Sequence, residues 1–149
     1  MTSTPSAPSS TSAAPAPPTS SAPTLSTCRS LTIQVLPGGA SFGEQIAGLK
    51  FINTGTRPCL LVGYPAVTLL RNGKQIGQPA QPASTAASIR RLGPGKAAES
   101  LLHDYTQTCQ APLSDSVRVR APGSVQTLVR PGMTLRACVL RVDKLGAPD

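Results

Sequence analysis

The sequence contains no tryptophan, and its only aromatic side chains are Phe42, Phe51, Tyr64 and Tyr105. Histidine occurs once, at His103, and no two cysteines stand in a C-x-x-C pair. Structural zinc needs clustered thiolates or imidazoles, so no metal centre is expected. Single-stranded nucleic acid is held on aromatic platforms along a basic groove, and duplex DNA is commonly read by a basic helix. With so few aromatics, and no run of Lys or Arg longer than Arg90-Arg91, no specific nucleic-acid binding is expected. Apolar runs of about 18 residues, long enough to span a bilayer as a helix, are also missing. No cofactor motif is present, and no cofactor is expected.

The first 27 residues carry no charge and, apart from Met1 and Leu25, consist of Ser, Thr, Ala and Pro. Such a segment buries too little apolar area to offset its ordering entropy, so residues 1–27 are expected to form a disordered linker. Residues 28–149 then form one domain, large enough to bury roughly two-thirds of the surface of its unfolded chain. The chain opens Met1-Thr2-Ser3, without a charged n-region or an apolar h-region. The expectation is a mature region from which an export signal, and any lipidated cysteine, has been removed. The linker's Ser and Thr hydroxyls are possible acceptors for O-linked sugars.

What is abundant is positive charge: 14 Lys and Arg against 6 Asp and Glu, a formal net charge of +8, all of it outside the linker. Spread along the chain, these charges read as a solvated basic surface facing anionic envelope material. The four cysteines, Cys28, Cys59, Cys109 and Cys138, are far apart. An even number of separated cysteines in a small domain behind a Ser/Pro/Thr linker reads as two disulfides in an oxidising compartment, against the alternative of four buried thiols. Of the three connectivities, Cys28–Cys59 with Cys109–Cys138 is preferred. Each bond closes a loop of about 30 residues, worth roughly 3 to 4 kcal/mol in the chain-entropy account.

Alternation of apolar and polar residues predicts strands. Leu31, Ile33 and Val35 alternate with Thr32 and Gln34, and Pro37-Gly38-Gly39 is expected to end that strand. Phe42 to Asn53 sets Ala47, Leu49 and Phe51 on one face before the Asn53-Thr54-Gly55 turn. Leu60–Tyr64 and Val67–Leu70 are short strands separated by Pro65, with Cys59 at the start of the first. Arg71-Asn72-Gly73-Lys74 predicts a type I′ hairpin. Gln78 to Ala87 reads as a loop and Ser88 to Leu92 as a strand. Lys96 to Thr108 fits a helix through Ala97, Leu101 and Tyr105, or a strand through Ala98, Ser100 and Leu102; the strand is preferred. Val117–Arg120, Val125–Arg130 and Met133–Val142 complete the set, punctuated by Pro122-Gly123 and Pro131-Gly132. Short strands with turns every 8 to 12 residues or so indicate an all-β antiparallel sandwich.

Cys28, the Gly43–Asn53 strand, the N-T-G turn, C-L-L-V-G-Y-P at Cys59 to Pro65, L-G-P-G-K-A at Leu92 to Ala97, Cys109 and Cys138 together resemble domain-of-unknown-function family 4232. The resemblance covers nearly all of residues 28–149. It implies an exported actinobacterial protein, often a lipoprotein, with an immunoglobulin-like sandwich and two disulfides, and it implies no known activity. One departure is that the tryptophan or other aromatic common after L-x-P-G-x-A is absent, with His103 and Tyr105 nearby instead.

Three functions were weighed on these residues. The leading one is a non-enzymatic interaction module of the cell envelope, extracytoplasmic and monomeric, that meets an envelope protein or an anionic polymer. Its candidate binding face is Arg118 and Arg120, alternating with inward valines, together with Arg130 and Arg136 of the neighbouring strands. Contact with a membrane is expected only through a lipid anchor absent from this chain. The second function is carriage of an apolar ligand between the sheets. The third is a serine hydrolase: Gly39-Ala40-Ser41-Phe42-Gly43 matches G-x-S-x-G, but the residues after Ser41 alternate as a strand rather than opening a helix. His103 beside Asp104 is not expected to form a catalytic pair, because adjacent strand residues point to opposite faces. No catalytic residue is assigned.

Overall fold

A computed structural model describes residues 25–41, 43–106 and 109–146. Of the linker expected over residues 1–27, residues 1–24 lie outside the described residues, as does Phe42, while Ser26 O accepts from Leu60 N and Thr27 bridges to Leu60. The described residues form eleven strands: β1 (Leu31–Ser41), β2 (Glu44–Asn53), β3 (Cys59–Val62), β4 (Ala66–Arg71), β5 (Lys74–Ile76), β6 (Gln81–Pro82), β7 (Ile89–Leu92), β8 (Ala97–Tyr105), β9 (Ser116–Arg120), β10 (Thr127–Pro131) and β11 (Val139–Val142). Five make one sheet in the order β1-β2-β8-β11-β6, four make a second in the order β10-β9-β4-β5, and β3 pairs with β7. Pairing is antiparallel except between β11 and the two-residue β6.

The inner faces are set by the period-2 pattern. Val35, Leu49, Phe51 and Leu102 of the large sheet belong to one buried cluster with Val67, Leu69, Val117 and Val119 of the four-stranded sheet. Ala98, Ser100 and Leu102 are all buried, so the ambiguous Lys96–Thr108 segment is the strand β8, on the face anticipated for it. Both predicted disulfides are formed, Cys28–Cys59 and Cys109–Cys138. Asn72 (φ 53°) and Gly73 (φ 77°) both take positive φ, as a type I′ hairpin requires.

Three boundaries differ from expectation. Pro37-Gly38-Gly39 does not end β1; the register slips between Pro37 and Ala40 and the strand continues to Ser41. A Cβ at Gly38 would lie 2.5 Å from the Ile46 carbonyl oxygen, so glycine here lets an irregular strand press against its neighbour. The strand placed at Met133–Val142 is ordered as a strand only from Val139. Residues before it are held by an isolated bridge from Arg136 to Leu113 and by Ser114, whose hydroxyl donates to Met133 O and accepts from Leu135 N. The loop at Gln78–Ala87 contains β6.

The turn motifs meet at Asn53, which is 2 % exposed. Its carboxamide donates to Arg57 O (2.8 Å) and Leu92 O (3.1 Å) and accepts from Gly55 N (2.9 Å). Its backbone accepts from Gly95 N and donates to Lys96 O. Leu92 is opposite Cys59 in the β3–β7 pair. One side chain thus ties the N-T-G turn, the L-G-P-G-K turn and the first disulfide together. In the G-Y-P step, Pro65 is buried where the chain leaves β3 for the four-stranded sheet, and Tyr64 Oη lies 2.7 Å from Ala86 O, pinning the loop before β7.

Asn53→Ala removes the side-chain partner of the buried Leu92 carbonyl and those of Arg57 O and Gly55 N. Urea unfolding of the oxidised protein should show a loss of about 2–4 kcal/mol, whereas Thr54→Ala in the same turn should change stability by less than about 0.5 kcal/mol.

Candidate functional sites on the two outer sheet faces

Alternation along β9 sends Val117 and Val119 inward and Arg118 and Arg120 outward. Arg118 is opposite Thr68 and Val129, and Arg120 opposite Ala66 and Thr127, so these two arginines share the outer face of the four-stranded sheet. Arg130 does not join them. It pairs with Val117 and therefore stands on the inward side of edge strand β10, where its Nη1 donates to Val35 O of β1 at 2.9 Å. Arg136 lies outside β9 and β10 and donates from Nη1 to Ala111 O. The expected four-arginine face is thus reduced to Arg118 and Arg120. Arg130 instead closes the margin of the sandwich, as does Gln126, whose amide bonds both backbone groups of Leu31.

On the opposite side of the molecule, His103 is flanked by two carboxylates. Its Nδ1 is 2.5 Å from Glu44 Oε1 and its Nε2 is 3.0 Å from Asp143 Oδ2. The ring lies near-parallel to Tyr105, with centroids 5.9 Å apart. β2, β8 and the chain just past β11 bring the three residues together. Desolvation works to lower the imidazole pKa, but the hydrogen bonds and charges of Asp143 and Glu44 outweigh it and raise it above 6.5. Protonated, the ring donates from both nitrogens and has no lone pair left for a ligand.

Asp104 faces the other way, as expected of His103's strand neighbour. It is fully buried; Oδ2 accepts from Arg136 N at 2.8 Å and Oδ1 has no partner. Burial pushes its pKa up to about 6, against the lowering effect of the Arg136 contact. This bond anchors the segment that carries Cys138 to β8.

The G-x-S-x-G stretch forms the β1–β2 hairpin: Ser41 pairs with Glu44, and Gly43 takes φ 78°. The chain turns from strand to strand, without the helix that follows a nucleophile elbow. Between the sheets the space is filled by the core cluster. A cleft of about 220 Å³ lies at the margin, lined by Pro37–Ala40, Ile46, Arg130 and Met133 among others. A larger cleft of about 750 Å³, also open at the surface, is lined by Thr27, Cys28, Arg29 and Gly123–Gln126.

A disulfide-stapled β-sandwich with its signature turns gathered on one buried asparagine is the class of domain these features define. The chain belongs to the family described as Domain of unknown function (DUF4232), whose model matches residues 27–146. That range coincides with the folded unit, whose first and last bridges are Thr27 with Leu60 and Gly146 with Glu99. Neither a curated protein nor a solved structure matches the chain. The two disulfides are consistent with an extracytoplasmic location.

Asp104 and His103 both bind a proton more tightly in the folded than in the unfolded chain, so both contribute stability at low pH that is lost as pH rises. For Asp104 the loss falls between about pH 4 and 6 and is on the order of 2–3 kcal/mol; for His103 it begins above about pH 6.5. Thermal unfolding from pH 4 to 8 should show a declining melting temperature. Asp104→Asn should flatten the limb below pH 6 and leave the limb above it.

Proposed function

We propose that this domain is a non-enzymatic interaction module of the cell envelope, carried on residues 1–27 and tethered by a lipid anchor, whose basic outer face meets an anionic polymer or an acidic partner protein. The observation that supports this reading is that the cations are unneutralised. Among the described residues the only ion pairs are the two made by His103, so Arg118 and Arg120 meet no carboxylate. Their face also carries Ala66, Thr68, Thr127 and Val129, small or apolar residues that set no large side chain beside Arg118, while Arg120 Nε donates to Ser124 O at 2.7 Å. Arginine binds anionic oxygens through a planar fork of donors, and exposed arginines of one sign raise the local concentration of anions. The net charge of +8 steers such partners toward the domain.

Inorganic polyphosphate, titrated against the full chain and followed by calorimetry, tests the reading. Binding should weaken at least several-fold between about 50 and 300 mM salt. It should fall about tenfold in Arg118→Glu/Arg120→Glu, whereas Lys50→Glu on the other outer face should leave it largely unchanged. Equal affinity in the wild type and the double variant would rule out the β9 face.

A further inference from the structure

The outer face of the five-stranded sheet differs from the rest of the surface. Cross-strand pairing arranges it in rows: Gln34, Lys50 and Glu99; then Leu36, Gly48 and Leu101; then Ile46, His103 and Arg141; then Glu44, Tyr105 and Val139. Four of its large apolar side chains are exposed, Leu36 at 45 %, Leu101 at 43 %, Tyr105 at 41 % and Val139 at 45 %. Gly48 leaves a notch between the two leucines, since the nearest atoms to a Cβ placed there are those of Leu36, 3.8 Å away. Isolated exposed apolar residues are ordinary, but two groups of them on one sheet face, Leu36 with Leu101 and Tyr105 with Val139 on either side of the His103 row, mark a contact surface.

Charge selects the occupant. Glu44, Glu99 and Asp143 lie on this face or at its rim; of the other described carboxylates, Asp104 is buried and Asp115 is tied to Asn72 N and Ser116 Oγ on the far side. Lys50 and Arg141 face these three carboxylates, so this side is close to balanced in a molecule of net charge +8. It is the side on which two copies can approach without bringing β9 arginines together. The balance is also self-complementary. The Gln34–Lys50–Glu99 row lies on one flank of the Leu36–Gly48–Leu101 row and the Ile46–His103–Arg141 row on the other, so a two-fold axis along the middle row sets Glu99 of one copy over His103 of the second.

We infer that the chain forms a back-to-back dimer through this face, with a second copy as occupant and Leu36, Gly48 and Leu101 at its centre. At a strand spacing of ~4.8 Å and a rise of ~3.4 Å per residue, four rows over four strands cover about 450 Å² per copy. A stable interface has about 800 Å² per partner. The dimer is therefore weak and transient. It also places the two β9 faces outward in opposite directions. Dimerisation itself does not depend on the polyanion reading; only the use of those two faces does.

Sedimentation velocity of the oxidised full chain, from about 5 µM to 1 mM at pH 7.5, tests this. The wild type should show a monomer–dimer equilibrium. Leu101→Glu should raise the dissociation constant at least tenfold, and Gly48→Lys, which fills the notch with an unpaired cation, should do the same. Val129→Glu, at a residue 47 % exposed on the opposite outer face, should leave the equilibrium unchanged. Circular dichroism and thiol titration would confirm that each variant is folded and oxidised. A wild type that is monomeric throughout the range overturns the inference, and so does a dimer that Val129→Glu weakens while Leu101→Glu and Gly48→Lys do not. Because polyphosphate binding is measured separately, either reading can fail while the other stands.

Discussion

Three hydrogen bonds from one buried carboxamide hold together the parts of this domain that its core alone would leave loosely joined. The cluster between the sheets is built from Leu, Val and Ala around Phe51 as its one aromatic. A core of branched aliphatics is dense but has few large side chains to lock distant turns in place. The stretch from Asn53 to Cys59 carries the chain from the large sheet to the β3–β7 pair, and buried backbone groups on such a path must find partners. Asn53 supplies them from the side, because no ladder reaches them. Cys28–Cys59 then limits how far β3 can stray in the unfolded chain, while Asn53 fixes where it docks in the folded one. The family's turn motifs therefore read as architecture, which explains why they point to a fold and to no chemistry.

Most of that architecture was legible. Alternation is an unambiguous signal wherever one face of a strand is buried and the other is wet, as in β2, β8 and β9. It fails where partners come from far along the chain. Met133 to Cys138 looks like a strand by composition, but its backbone is satisfied by Ser114, Pro112 and Asp104 rather than by a ladder. Pro37-Gly38-Gly39 reads equally as a stop or as a bulge, and only the neighbouring Ile46 carbonyl decides between them. Arg130 was assigned to the wrong face because a basic residue on a strand is normally solvated outward. At the margin of a sandwich an inward-facing arginine reaches the open edge of the other sheet and keeps its charge wet. The His103 cluster draws on residues 59 and 40 positions away, which become neighbours only once β2, β8 and β11 are adjacent.

β8 also carries two groups with opposite surroundings and the same pH dependence. His103 gains from its proton because two carboxylates are waiting for it, and Asp104 gains from its proton because burial strips its carboxylate of water. An unpaired buried carboxylate is a poor stabiliser at neutral pH. What it offers is direction: Oδ2 fixes the Arg136 amide, and through it the approach to Cys138, at a point where the chain has no sheet partner other than one isolated bridge.

The charge pattern follows from the same division into faces. Three of the carboxylates gather on the outer side of the large sheet, and Arg118 and Arg120 on the outer side of the four-stranded sheet have none opposite them in the ladder, so the +8 of the chain is unevenly divided between the two faces. In the back-to-back dimer that uneven division has a mechanical consequence. Two arginines on one face bind a flexible polyanion weakly and briefly, but two such faces pointing apart can hold two chains, or two stretches of one chain, at the same time. The second contact is then governed by local rather than bulk concentration. A contact of about 450 Å² is too small to be permanent on the scale of protein interfaces; on the proposed reading, in which copies are tethered to one surface, their crowding would supply the concentration that the interface itself does not.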